Sequence, residues 1–284
     1  LAAGLGPRLA SGRRVALATT VIFSGVSIAS VLGVPLGTLV ADQWGWRTAF
    51  WGLAVLGALT AVLLFMLLPA LPAPGASRVA RVFAPLRTPG VLFGIVITTL
   101  LVLGHFTGYT YIRPFLETES GMGATGLATV LFVYGIAGVA GNFILGTLAG
   151  KKTRAAVVLA VGGVAVATLL LATGLGQAAV IAGVVMVLWG FCYGGLSVST
   201  QTWIAKADPA QIEASSALWS GAFNASIAGG AVLGAVTVDG ANVTWAMWLA
   251  AAVSALALLI AVTTRPHPFR AKAAGSSHGI DATP

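Results

Sequence analysis

Charged residues are scarce in this chain of 284 residues: they make up 8% of it, and seven residues are acidic. Hydrophobic residues make up 58%, and the mean hydropathy is +0.97. Too few polar side chains remain to cover a water-soluble surface, so the composition predicts an integral membrane protein. The single cysteine, Cys192, excludes a disulfide within the chain.

Several chemical signatures are also missing. The sequence has no phosphate-binding loop of the form G-x-x-x-x-G-K-[ST], and its histidines and cysteine are not spaced as metal ligands. The basic residues are scattered, with no basic run longer than two, which disfavours nucleic acid as a partner. A membrane-embedded enzyme would need clustered titratable groups at one depth. We therefore expect no catalytic residues, no metal and no cofactor.

Long apolar runs dominate the sequence instead. Eight of them, each roughly long enough to cross a bilayer, contain no charged residue. We number them spans 1 to 8: residues 15–41, 48–68, 90–112, 125–149, 155–173, 178–203, 214–238 and 243–264. The sequence therefore predicts an all-α integral membrane fold.

The basic residues also predict an orientation. If the chain starts in the cytoplasm, only Arg47 and Arg113 of the fifteen basic residues lie outside. Such an asymmetry is what the positive-inside rule requires. Both ends of this chain are therefore expected in the cytoplasm.

A proline-rich segment and a repeat suggest two bundles. Residues 69–89 contain five prolines and no spanning run, which is typical of a linker. Residues 27–29 (Ser-Ile-Ala) in span 1 match residues 226–228 in span 7, and an acidic turn, a tryptophan and one more span follow each. If this is a repeat, four helices equivalent to spans 3–6 should precede span 1, and the chain holds eight of twelve helices. The expected units are then the last two helices of an N-terminal bundle (1–68), a cytoplasmic linker (69–89), a C-terminal six-helix bundle (90–264) and a basic disordered cytoplasmic tail (265–284).

Small residues mark the expected helix contacts, because close backbone approach drives helix association in lipid. Five Gly-x-x-x-Gly pairs lie within or at the ends of the spans: Gly33/Gly37, Gly104/Gly108, Gly146/Gly150, Gly190/Gly194 and Gly230/Gly234. Pro35 predicts a kink in span 1, and a moving hinge is the alternative interpretation.

Span 6 carries one mixed stripe at helical spacing: Met186, Trp189, Tyr193, Ser197 and Thr200. Trp189 and Tyr193 are candidate substrate contacts, and packing against neighbouring helices is the alternative. His105 and Tyr109, one turn apart in span 3, are further candidate substrate contacts, and a hydrogen-bonded structural role is the alternative for His105. His105 is also the only side chain within a span that titrates near neutral pH.

Two amides complete the candidate binding residues. Asn142 in span 4 and Asn224 in span 7 cannot face lipid without losing hydrogen bonds. Either they join helices to one another or they contact a polar substrate.

Three motifs resemble a known family. Gly33-Val-Pro35-Leu-Gly37, followed by Gly45-Trp46-Arg47, resembles the antiporter motif of helix five in the major facilitator superfamily. Residues 104–115 resemble helix seven of its bacterial sugar and drug efflux branch. Residues 146–152 (Gly-Thr-Leu-Ala-Gly-Lys-Lys) are similar to the superfamily's G-x-L-A-D-R loop motif, with Gly146 and Lys151 at motif positions and Gly150 in place of the aspartate.

The resemblance implies a function and a setting. It implies a monomeric secondary transporter in the bacterial inner membrane that exports sugars or small amphipathic drugs by proton-coupled alternating access. The alternatives are an uncoupled facilitator, a channel or structural subunit, and an embedded enzyme. No carboxylate lies within the eight spans. Either His105 carries the coupling proton, or the coupling group lies in the helices expected upstream, which the resemblance favours.

Overall fold

The computed structural model describes residues 37, 40, 41, 43–67 and 83–264. All regular structure in these residues is helical. We number the α-helices α1 Trp46–Leu67, α2 Pro89–Tyr109, α3 Ile112–Thr118, α4 Ala124–Ala172, α5 Ala179–Gly194, α6 Leu196–Ala207, α7 Ile212–Gly240 and α8 Val243–Thr263. Short 3-10 turns precede α2, α5 and α7. Six helices are long and apolar enough to cross a membrane, counting α5 with α6 as one, which confirms the predicted all-α membrane fold.

The apolar runs predicted spans 2 to 8 correctly. Each coincides with a helix or half-helix, except that span 6 covers both α5 and most of α6, and the ends differ by a few residues. Span 1, with Gly33 and Pro35, lies outside the described residues except at its last positions. Gly37 is described there, and a Cβ added to it would meet nothing within 4 Å. Residues 68–82 and the expected tail at 265–284 also lie outside the described part.

Two spans join where a loop was expected. Spans 4 and 5 form the single helix α4, whose backbone leaves helical geometry at Lys152 (φ −134°, ψ 69°). No proline interrupts residues 150–154, so a local break replaces a loop.

Span 3 ends earlier than expected, at Tyr109, and the short helix α3 follows it. Pro114 explains this, because its ring would clash with the carbonyl of Thr110 in a continuous helix.

Helices α2 and α4 to α8 share one apolar core. The broadest contacts join α4 with α5 and α8, and α2 with α7 and α8. By contrast, no residue of α1 is buried in the described structure. The described residues 83–264 therefore form one bundle around a common core.

Glycines bring two pairs of helices into backbone contact. A Cβ on Gly141 would overlap the backbone of Phe191, and one on Gly194 would overlap that of Gly138, so α4 and α5 touch directly. Between α2 and α7, a Cβ on Gly230 would lie 2.5 Å from the carbonyl oxygen of Leu103. Gly-x-x-x-Gly pairs therefore pack helices as predicted at Gly104/Gly108, Gly190/Gly194 and Gly230/Gly234, whereas a Cβ on Gly150 would meet nothing within 4 Å.

Candidate functional site

Five aromatic side chains from three helices form a cluster inside this bundle. His105 and Tyr109 lie on α2, Tyr134 on the first half of α4, and Trp189 and Tyr193 on α5. Each pair from one helix is spaced by four residues, so its two rings project from one face. We call these five residues the ring cluster.

A hydrogen bond fixes the protonation of His105. The indole Nε1 of Trp189 donates to Nδ1 of His105 at 2.9 Å, and both side chains are buried. An indole nitrogen is a donor only, so Nδ1 must carry a lone pair. His105 is therefore neutral in this conformation, with its proton on Nε2. Nε2 donates to no acceptor among the described residues, which leaves this N–H available to a ligand.

Stacked rings extend from the histidine. The Tyr193 ring lies on the His105 ring with centroids 3.5 Å apart and planes at 6°. Tyr109 stacks on His105 at 5.0 Å and 17°, and on Tyr134 at 4.9 Å and 25°. Trp189 meets His105 edge to face at 5.4 Å. His105 and three tyrosines thus form a continuous stack, and Trp189 packs against its side.

Burial divides the cluster into a closed part and an accessible part. Trp189 is 0% exposed and His105 is 1% exposed, whereas Tyr109 and Tyr193 are half-buried. Gly108 makes room for the tryptophan, because a Cβ there would lie 3.3 Å from Trp189 Cη2. A ligand in this conformation would therefore reach Tyr109 and Tyr193 before it reached Trp189.

Tyr134 was missed by sequence reasoning. It stands alone on an apolar helix, and nothing in the periodicity of α4 singles it out. The chain has four tyrosines, and three of them meet in the ring cluster. The sequence signal that could have found Tyr134 is that tyrosine is rare in the chain and that these tyrosines lie in separate spans.

The rest of the predicted stripe packs between helices. Met186 is 0% exposed. Thr200 donates to the carbonyl of Leu196 at 3.0 Å and accepts from Trp219 Nε1 at 3.1 Å. Ser197, by contrast, is half-buried. Away from the ring cluster, the stripe therefore serves mainly to hold α6 against α7.

The two predicted asparagines lie apart from the ring cluster. Asn224 is exposed on α7, and its amide donates to the Ser220 carbonyl of the same helix at 2.8 Å. Asn142 is half-buried on α4, two turns beyond Tyr134. Among the described contacts, none joins either amide to a ring of the cluster.

The motif residues occupy the ends of spans. Gly146 packs against α6, where a Cβ would lie 3.3 Å from Val198, and Lys151 is exposed. Near the start of α1, the Arg47 guanidinium lies 4.5 Å from the centre of the Trp46 ring. Both sites are therefore near the membrane boundary rather than beside the ring cluster.

Lys206, which sequence reasoning missed, holds the motif segment in place. Its ammonium donates to the carbonyls of Ala149 (3.2 Å) and Gly150 (2.8 Å) and to Thr153 Oγ1 (2.8 Å). The break at Lys152 interrupts the helical hydrogen-bond pattern near these carbonyls, and Thr153 Oγ1 also donates to the Ala149 carbonyl at 2.7 Å. A cation at a helix C-terminus also interacts favourably with the helix dipole.

The described carboxylates lie outside the bilayer-spanning interior. Glu117 and Glu119 are in or beside α3, and Glu213 and Asp239 are in the end turns of α7. Asp208, in the turn before α7, accepts from Thr88 at 3.4 Å and from Gln211 at 3.0 Å. No group of three or more potential metal ligands occurs among the described residues.

A comparison with protein families decides the identity. The family model of the Major Facilitator Superfamily matches residues 3–216, which is most of the chain. The chain belongs to the major facilitator superfamily. Members of this superfamily are transporters rather than enzymes. The protein is therefore a multi-pass membrane transporter for small molecules, and the ring cluster lies within its transmembrane bundle.

Proposed function

We propose that this superfamily member exports sugars or small amphipathic drugs, driven by the proton gradient, through alternating access. The ring cluster carries the proposal. Half-buried Tyr109 and Tyr193 offer ring faces that can stack on the apolar face of a sugar or on a drug ring. Their hydroxyls and the free Nε2–H of His105 supply hydrogen bonds beside those faces.

We infer that the substrate first meets Tyr109 and Tyr193, and that Trp189 acts through His105. Trp189 supports the site by holding His105 as the Nε2–H tautomer. Asn142 and Asn224 are proposed as polar contacts made in another conformation, because they lie apart from the ring cluster in this one.

The alternating motion is proposed to occur between two bundles. Helices α2 and α4 to α8 share a core, whereas α1 contributes no buried residue to it among those described. This supports a division into a C-terminal bundle at residues 90–264 and an N-terminal bundle that includes residues 1–68. Residues 69–89 would link the two. Gly33, Pro35, Gly37 and Arg47 are proposed to act at the boundary between them.

We propose that the coupling proton is carried outside residues 83–264. The described spans contain no carboxylate in their interiors, and His105 Nδ1 is occupied by the Trp189 N–H. A proton could enter there only after that hydrogen bond broke. An uncoupled facilitator is the second candidate, and the same lack of an intramembrane acid favours it.

Flux measurements separate these two candidates. The purified protein is reconstituted in proteoliposomes, and the movement of labelled sugars and cationic aromatic drugs is followed with and without an imposed pH gradient. Gradient-driven accumulation supports the exporter. Equilibration that ignores the gradient, and that a protonophore leaves unchanged, would establish the facilitator instead.

A further inference from the structure

A groove lies far from the ring cluster, where the two halves of α4 meet the end of α8. Its volume is about 560 Å³. It is lined by Lys152, Thr153, Arg154, Ala155, Val158 and Val262. We call it the α4/α8 groove. The proposed transport function assigns no role to it.

The groove has positive charge without acidic partners. Lys152 and Arg154 contribute to its lining, and no lining residue is acidic. Neither side chain forms an ion pair with another described residue. Arg154 donates through Nη2 to the carbonyl of Val262, which anchors the guanidinium to the end of α8. A guanidinium has several N–H donors, so others remain for an anion.

The groove also reaches into the membrane. Lys152 marks the boundary between spans 4 and 5, so the charged end lies at the level of the lipid headgroups. Ala155 and Val158 belong to the span that starts there, and Val262 to the last turn of α8. A ligand that fills the groove would therefore contact the two cations and, beside them and one turn further along α4, the apolar side chains of Val262, Ala155 and Val158.

These contacts match the two parts of an anionic lipid. Basic pockets between transmembrane helices bind anionic headgroups, while valine walls accommodate an acyl chain. A free phosphate would leave the apolar walls unused. The chain beyond Thr264 has three basic residues and one acid, so its charge is of the same sign as the groove.

We propose that the α4/α8 groove binds one anionic phospholipid, with its phosphate between Lys152 and Arg154 and an acyl chain along Val158 and Val262. The bound lipid bridges the break in α4 and the end of α8. The proposal does not depend on which substrate the transporter moves or on proton coupling.

Lipid titration of the purified chain tests the proposal. Binding of phosphatidylglycerol and phosphatidylcholine is measured by native mass spectrometry, and thermal unfolding is followed in parallel. We expect phosphatidylglycerol to bind more tightly and to raise the unfolding temperature. Lys152→Gln should weaken this binding about fivefold, since one basic residue near a membrane surface contributes roughly that factor.

A neighbouring lysine supplies the matched control. Lys151 is exposed and adjacent, yet it does not line the groove, so Lys151→Gln should leave phosphatidylglycerol binding unchanged. Arg154→Gln should weaken binding too, but it also removes the contact with Val262, so Lys152→Gln is the decisive variant. Equal losses in Lys151→Gln and Lys152→Gln would overturn the proposal.

The remaining arms identify the source of the phosphate. Inorganic phosphate that raised the unfolding temperature as much as phosphatidylglycerol would show an anion site and overturn the lipid assignment. Equal binding of phosphatidylcholine and phosphatidylglycerol would do so as well. Val158→Asp should lower phosphatidylglycerol binding. It should not strengthen the binding of inorganic phosphate.

Discussion

Trp189 donates a hydrogen bond to His105 across the bundle, from α5 to α2, with Nε1 and Nδ1 2.9 Å apart. Both partners are buried, so neither can replace the other with water. The bond selects one tautomer of the histidine and directs Nε2–H away from the tryptophan. It thereby links the packing of two helices to the chemistry that the site can offer a ligand.

The first prediction concerns this bond. Trp189→Phe keeps a large ring but leaves Nδ1 of His105 without a donor, which should destabilise the protein by about 1–3 kcal/mol. His105→Leu should cost a similar amount, because it leaves the indole N–H unpaired. Thermal unfolding in detergent measures both.

The double variant Trp189→Phe/His105→Leu removes both polar partners at once. Its destabilisation should be clearly smaller than the sum of the two single effects. Strict additivity would show that the two side chains do not interact.

The second prediction concerns the accessible rings. Tyr109→Ala and Tyr193→Ala should each weaken the apparent affinity for a transported substrate about two- to tenfold, because each removes one stacking surface. Membrane insertion should be unaffected. Concentration-dependent uptake into proteoliposomes gives the apparent affinity.

Val166 on the second half of α4 is a suitable control. It is 47% exposed and belongs to no ring contact, so Val166→Leu should change neither affinity nor maximal rate. If the tyrosine variants behave like Val166→Leu, the ring cluster is a packing feature and not a binding site.

The third prediction separates polarity from protonation at His105. Asparagine can accept the Trp189 N–H but cannot titrate, so His105→Asn should weaken transport only modestly. Export should still respond to an imposed proton gradient. Substrate exchange that persists while the gradient response disappears would make His105 the coupling group after all.

The fourth prediction concerns Lys206. Lys206→Met removes donors from the carbonyls of Ala149 and Gly150, and we expect a loss of about 1 kcal/mol of stability, given partial exposure of the site. Lys206→Arg should restore part of it. Lys151→Met is the control, because Lys151 is exposed on the same segment. Chemical denaturation in detergent should rank the three variants, and equal stability of Lys206→Met and Lys151→Met would exclude the capping role.

The fifth prediction concerns orientation. The asymmetry of basic residues places the segments around Pro74 and Lys152 in the cytoplasm and Glu119 outside. Reporter enzymes fused after each residue should be active on those sides. A cytoplasmic signal after Glu119 would reverse the orientation of the whole chain.

Hydropathy predicted the described spans well, for example α2 and α8. A spanning helix is recognised by a long apolar composition along the chain, and this can be read from the sequence. Spacing and residue type also singled out both helix pairs of the ring cluster, His105 with Tyr109 and Trp189 with Tyr193. The sequence could not predict that the two pairs stack on each other, since that depends on how α2 packs against α5. Tyr134 was missed because it stands alone on an apolar helix.

Local breaks were harder to predict. The cap provided by Lys206 exists because the backbone departs from helical geometry at Lys152, and no glycine or proline stands at that residue to signal it. The short helix α3 was missed because seven residues show too little periodicity. The side-chain amide of Asn224 donates to a carbonyl of its own helix, and the sequence alone does not show this hydrogen bond.

The glycine contacts between α4 and α5 have a mechanical consequence. Because the backbones meet at Gly141 and Phe191, a shift of α4 would disturb α5, and this contact helps to hold Tyr134 in place relative to Trp189 and Tyr193. His105 and Tyr109 belong to α2, which interlocks with α7 through Gly230 in the same way. The ring cluster therefore lies between two closely packed helix pairs, and the stacking of its rings depends on the angle at which α2 and α7 pack against α4 and α5.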